Sequence, residues 1–248
     1  MKPTKKACEM TARELAATID QSVLKPEFTQ GEIRKYIQEG VDFGCKTVCI
    51  NPSALPIARE ICEGTQTGIC VVCDFPFGLS STASKCLQAE EIVKGGDVED
   101  LDIVANYGWI KSGLWDAVRE DIRAVAAVCH KYGTLLKVIF ETDALTLDEV
   151  AKATDVACEA GADFVKTSTG FYTGGESRGA TTEVIKLMLE AAKGRCKVKG
   201  SGGIRDQAHF FELIDLGIDR MGIGYRSTPV VLGLTAEQAA DARNKGGY

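Results

Sequence analysis

The chain has 248 residues, 45% hydrophobic and 26% charged, the proportions of a soluble globular protein with a sizeable core. A net charge of −6 without any block of Lys/Arg excludes a broadly basic nucleic-acid surface. No run approaches the roughly 18 consecutive apolar residues of a membrane span. The opening Met1-Lys2-Pro3-Thr4-Lys5-Lys6 lacks the apolar stretch of a secretory leader, so a cytoplasmic location is expected.

Taken in order, the chain alternates helix and strand signals. Capping boxes of the form T-x-x-E stand at Thr11/Glu14, Thr29/Glu32 and Thr146/Glu149, and predict helices over 12–17, 32–39 and 148–160. Periodic segments add helices at 53–62, 84–94, 114–131, 183–192 and 207–216. Strand-like runs fall between them at 18–23, 47–50, 68–75, 100–106, 135–141, 163–168, 197–201 and 220–224. A glycine followed by a small or apolar residue and an aspartate recurs at Gly40-Val41-Asp42, Gly161-Ala162-Asp163 and Gly217-Ile218-Asp219, where it is read as a helix end before the next strand. Strict alternation with short links implies parallel strands in an α/β fold. Eight such units predict a single-domain (β/α)8 TIM barrel over 1–234, opened by an N-terminal helix; an open doubly wound sheet is the competing architecture. Residues 235–248 are expected to form a C-terminal helix and a flexible tail ending on Tyr248.

The ten cysteines are scattered through apolar segments, and Cys70-Val71-Val72-Cys73 lies in a strand-like run whose two thiols point to opposite faces. They are read as reduced, buried thiols. The two histidines, His130 and His209, lack metal-ligand spacing and are expected at the surface or in packing. Neither G-x-G-x-x-G nor G-x-S-x-G occurs, which disfavours a dinucleotide-binding oxidoreductase and an α/β-hydrolase.

Charged residues inside the strand runs carry the chemistry. Side-chain alternation puts Asp102, Lys137, Lys166 and Lys199 on the inward face of their strands, with Asp100 sharing the parity of Asp102 and Glu141 that of Lys137. Three lysines against Asp102 are not mutually neutralised. Crowded ammonium groups disfavour each other's charge, and a neutral amine attacks carbonyls to form a Schiff base. Gly202-Gly203 and Gly222-Ile223-Gly224 follow or form the last two strands, where barrel loops frequently bind phosphate, and Arg205, Arg226 and Ser227 lie close by in sequence.

These motifs resemble the deoxyribose-phosphate aldolases, class I Schiff-base enzymes, from about Ile19 to Gly224. The segments that carry the resemblance are Asp163-Phe164-Val165-Lys166-Thr167-Ser168-Thr169-Gly170 and Lys197-Val198-Lys199-Gly200-Ser201-Gly202-Gly203, with Leu136-Lys137-Val138-Ile139-Phe140-Glu141-Thr142 in support. The resemblance implies reversible cleavage of 2-deoxy-D-ribose 5-phosphate to D-glyceraldehyde 3-phosphate and acetaldehyde. It also implies no metal or organic cofactor, and a homodimer. It assigns the Schiff base to Lys166, tuning of that amine to Lys199 and proton relay to Asp102, with Tyr248 assisting as a terminal tyrosine does in some members. Substrate contacts are expected from Lys137, Thr167, Ser168, Gly202, Gly203, Gly224, Arg226, Asp20 and Cys49. The chain departs from the family pattern at Asp20-Gln21-Ser22, at Asp74-Phe75-Pro76, and at Gly224-Tyr225-Arg226, where a serine pair is usual. A related aldolase with another acceptor or phosphate position, or a catalytically silent sugar-phosphate-binding barrel, are the competing readings.

Overall fold

The computed structural model describes residues 5–234. Eight parallel strands run in chain order, β1 Ile19–Val23, β2 Thr47–Ile50, β3 Gly68–Cys73, β4 Asp100–Val104, β5 Leu135–Ile139, β6 Phe164–Lys166, β7 Lys197–Ser201 and β8 Arg220–Gly224, and they close into a barrel in that order. The helices are α1 Ala12–Ala16, α2 Gln30–Phe43, α3 Leu55–Cys62, α4 Thr82–Val93, α5 Tyr107–Lys111, α6 Trp115–Lys131, α7 Leu147–Glu159, α8 Thr182–Ala192, α9 Gln207–Leu216 and α10 Thr228–Val231. The fold is the expected α/β (β/α)8 barrel. Among the described residues no helix is long and apolar enough to cross a membrane. Tyr248 and the helix expected after residue 235 lie outside the described residues.

Two compact units make up the chain, one built on residues 72–203 and the other on the segments either side of it. In the first, β4 to β7 pair in register and every residue of β4 is buried, including two aspartates. A parallel strand buried on both faces normally reads as an apolar run, so the acids mark an unusual interior. In the second, β1 pairs with β2 and with β8, and Asp20 accepts from Thr47 Oγ1 and Arg220 Nη1, each at 2.7 Å.

All three capping boxes form, with Thr11, Thr29 and Thr146 each accepting from the backbone three residues on. The strands stop earlier than the apolar runs suggest. Asp74 and Glu141 adopt left-handed backbone (φ 49° and 56°), and Asn106 caps α5, so the chain turns out of the sheet at all three places. The reading of Gly40 as a helix end is corrected. α2 continues to Phe43 and ends on Gly44 at φ 76°, while Gly40 is a buried helical position where a Cβ would lie 2.7 Å from Val48 Cγ1. Only a hydrogen fits there.

The cysteine reading is corrected at one pair. Cys158 and Cys196 form a disulfide with Cα atoms 5.6 Å apart, within bridging range. A separation of 38 residues hides that proximity from the sequence. Cys45, Cys49, Cys62, Cys70, Cys73 and Cys129 are buried and outside any disulfide. Burial pushes the Cys73 and Cys129 thiols up to about 12, which keeps them un-ionised and unreactive.

Candidate active site

Four neighbouring strands each aim a charged side chain at one point. Register sets Asp102 beside Lys137 and Lys166 beside Lys199, and alternation turns these side chains inward. Asp102 is the hub. Its Oδ2 accepts from Lys166 Nζ at 2.7 Å and from Lys199 Nζ at 2.8 Å, and its Oδ1 lies 3.2 Å from Lys137 Nζ. Lys137 also pairs with Asp100 Oδ2 at 2.5 Å. Lys166 keeps 3% exposure while Asp100, Asp102, Lys137 and Lys199 have none, so Lys166 is the amine within reach of a ligand.

Burial alone would raise the Asp102 carboxyl, but the ammonium groups of Lys137, Lys166 and Lys199 hold it well below the usual carboxylate range. Three lysine side chains therefore converge on the Asp100 and Asp102 carboxylates. A deprotonated amine at the exposed end of such a cluster is a carbonyl nucleophile.

A family model for DeoC/LacD family aldolases matches residues 14–226, most of the chain. The chain belongs to the DeoC/LacD aldolase family. It is 43% identical over 213 residues to the deoxyribose-phosphate aldolase of Mannheimia succiniciproducens, covering 86% of this chain and 92% of that one. It is 40% identical over 230 residues to that of Histophilus somni, covering 93% and 99%. Among solved structures, the aldolase QR15 superposes with a TM-score of 0.80 at 36% identity, covering 89% of this chain and 95% of that one. The deoxyribose phosphate aldolase from Aeropyrum pernix, described as a unique tetramer, gives 0.79 at 27% identity, covering 90% and 91%. The chain is thus an enzyme, a carbon–carbon lyase of the aldolase class.

Around this aldolase cluster the other expected contacts divide. Thr167 is buried and its hydroxyl is engaged twice with the Ser201 backbone, donating to O at 2.8 Å and accepting from N at 2.9 Å, so it ties β6 to β7. Ser168, also buried, places its hydroxyl 3.3 Å from that of Thr142. Gly202 and Gly203 follow at φ 82° and 77°, packed against the 178–180 loop, and Ala180 donates its N–H to Gly202 O at 3.0 Å. A Cβ on Gly179, itself at φ 70°, would lie 2.3 Å from the carbonyl carbon and oxygen of Gly202. Gly179→Ala is therefore expected to lose about 2 kcal/mol or more of stability, through left-handed strain plus a backbone clash, read as a lowered melting temperature.

In the second unit, Asp20 is committed to Arg220 and Thr47, and the buried Cys49 thiol lies 3.6 Å from Cys70. Gly224 ends β8 exposed. Tyr225 stacks on Tyr36 with ring centroids 3.9 Å apart, and Arg226 carries its guanidinium 5.4 Å above the Tyr225 ring. His130, at the surface as expected, lies 2.8 Å from Asp163.

Two features of the site were missed in the sequence. Asp100 supplies the second carboxylate, and its shared parity with Asp102 was the available signal. Lys85 is fully buried on α4, donating to Asp121 Oδ2 at 2.7 Å and to Val104 O at 3.1 Å, and lies 3.7 Å from Asp74 Oδ2. Its spacing with Ala89 and Ile92 on the buried stripe of α4 was the sign that it points inward. Asp74 in turn accepts from Ser80 N and Oγ, which fixes the turn that sets Phe75 edge-on to Phe171 at 5.3 Å.

Proposed function

We propose that Lys166 captures the aldehyde carbon of open-chain 2-deoxy-D-ribose 5-phosphate as a Schiff base and that the enzyme cleaves it reversibly to D-glyceraldehyde 3-phosphate and acetaldehyde. The observation that carries this reading is the shared Asp102 oxygen held by Lys166 and Lys199 at the reachable end of a buried cluster. In the chemistry proposed, the neutral Lys166 amine adds to C1, and loss of water gives an iminium. The C3 hydroxyl proton is removed, the C2–C3 bond breaks, and its electron pair passes into the iminium as an enamine. Protonation at C2 and hydrolysis release acetaldehyde. Asp102, anionic and already hydrogen-bonded to the amine, is the proposed proton relay through a water. Gly202 and Gly203, in the loop after β7, are proposed phosphate contacts.

Borohydride reduction in the presence of acetaldehyde, followed by peptide mapping, tests the assignment. An adduct on any other lysine, or none, would sink it. Lys199 is proposed to govern the proton on Lys166, since its ammonium occupies the same carboxylate oxygen and repels a second positive charge there. Lys199→Leu leaves Asp102 to stabilise the Lys166 ammonium undisturbed. Adduct formation at neutral pH should fall by roughly tenfold and recover in part as the pH is raised. An unchanged pH dependence would mean that Lys199 has no such role.

A further inference from the structure

Lys85 is a buried cation that the scheme above leaves unused, and it reaches the end of the strand that carries Asp102. Ala105 donates its N–H to Ile139 O on β5 at 2.9 Å, so the Val104 carbonyl of the same planar peptide points the opposite way, toward the β3 side. β3 does not extend far enough to meet it. That strand stops at Cys73, and Asp74 turns out of the sheet at φ 49°. Lys85 Nζ takes the place of the departed strand and donates to Val104 O at 3.1 Å. A buried carbonyl without a donor is costly, and an ammonium has three protons to give.

The remaining contacts fix the ammonium itself. Asp121 Oδ2 on α6 accepts from it at 2.7 Å, and Asp121 Oδ1 accepts from the Thr82 hydroxyl at 2.6 Å. Asp74 Oδ2 lies 3.7 Å from Lys85 Nζ, and the Asp74 N–H donates to Gln88 Oε1 at 2.5 Å, one turn further along α4. The turn after β3 then folds back over the same strand end. Gly78, at φ 67°, passes so close that a Cβ would lie 2.5 Å from Val104 O and 2.7 Å from Ala105 O. One lysine thus joins α4, α6, the turn after β3 and the carboxyl end of β4.

Val104 lies two residues beyond Asp102 on the same face of β4. Asp102 works with little tolerance, because its Oδ2 accepts from Lys166 and Lys199 at once, at 2.7 and 2.8 Å. A displacement of about 1 Å takes one of those contacts out of hydrogen-bond range. We propose that Lys85 is a positioning residue of the aldolase reaction: it holds the carboxyl end of β4 where β3 has turned away, and so keeps the Asp102 oxygen between Lys166 and Lys199. It acts through Asp102 and not on the substrate. The inference rests on the Schiff-base reading of that cluster.

The test compares Lys85→Met with the double variant Lys85→Met/Asp121→Leu. Borohydride-trapped acetaldehyde adduct on Lys166 is followed by intact mass, and thermal melts are recorded on the same preparations. Lost folded protein lowers only the amplitude of trapping, whereas a displaced Asp102 lowers its rate constant. Lys85→Met should slow the rate constant by about tenfold or more, and should also melt lower because Asp121 is left buried without its cation. The double variant removes both charges, so most of the melting temperature should return while trapping stays slow. A rate constant that recovers with the melting temperature, or a folded Lys85→Met enzyme that traps at the wild-type rate, overturns the proposal. Failure of both variants to fold would overturn it as well, by making Lys85 a folding residue. The same comparison made on kcat for deoxyribose 5-phosphate needs no adduct. A wild-type enzyme without a Lys166 adduct therefore overturns the Schiff-base reading, while kcat still decides the role of Lys85.

Discussion

Lys166→Met is expected to abolish the trapped adduct and to lower kcat/KM for deoxyribose 5-phosphate by roughly four orders of magnitude or more, with the fold intact. The size of the loss follows from the role: the substituted side chain reaches the same place but offers no nucleophile. The intact fold follows from charge. Removing Lys166 leaves Asp102 paired with Lys137 and Lys199 and Asp100 paired with Lys137, so neither buried carboxylate loses its cation. The melting temperature should hold or rise, because methionine fills the volume of the lysine stem without its charge. Adduct mapping, steady-state kinetics and thermal unfolding on one preparation separate the two claims. A variant that is inactive because it is unfolded would contradict the charge argument, and one that retains the adduct would remove Lys166 from the mechanism.

The pattern that placed Lys166 in the lumen needed only strand parity, which is why the core of the site was legible. Asp102, Lys137, Lys166 and Lys199 alternate correctly within short runs, and parallel register then brings them together without further information. Capping boxes were equally local and equally readable. What escaped was decided by tertiary context. Asp74 and Glu141 continue apolar strand runs yet take left-handed backbone, fixed by Ser80 on one side and Thr169 on the other. Thr167 lies in a segment that suggested a substrate contact, but its hydroxyl is engaged by a neighbouring strand. The excess charge, read from three lysines and one aspartate, shrinks by one once Asp100 is counted.

Asp102→Asn should produce the largest loss of stability of any substitution in the site. The amide preserves shape but takes from Lys137, Lys166 and Lys199 the buried carboxylate they share, and breaking a buried ion pair from one side costs about 3–5 kcal/mol. For a chain of this size, a fall in melting temperature of roughly 2–4 °C per kcal/mol follows at neutral pH. The pH dependence has a definite sign. The lysines hold the Asp102 carboxyl below its unfolded value of about 3.9, so its contribution is complete above that pH and is lost as the pH falls through the depressed folded value. The gap between wild type and Asp102→Asn should therefore be constant from neutral pH down to about pH 5, then narrow toward zero in strong acid. Thermal melts of both proteins across pH measure the gap directly. A difference under about 2 °C at neutral pH, or one that does not narrow in acid, would show that Asp102 does not anchor the cluster. Activity should be lost in the same variant even where it is folded, since the amide can neither hold the anionic charge nor relay a proton to Lys166.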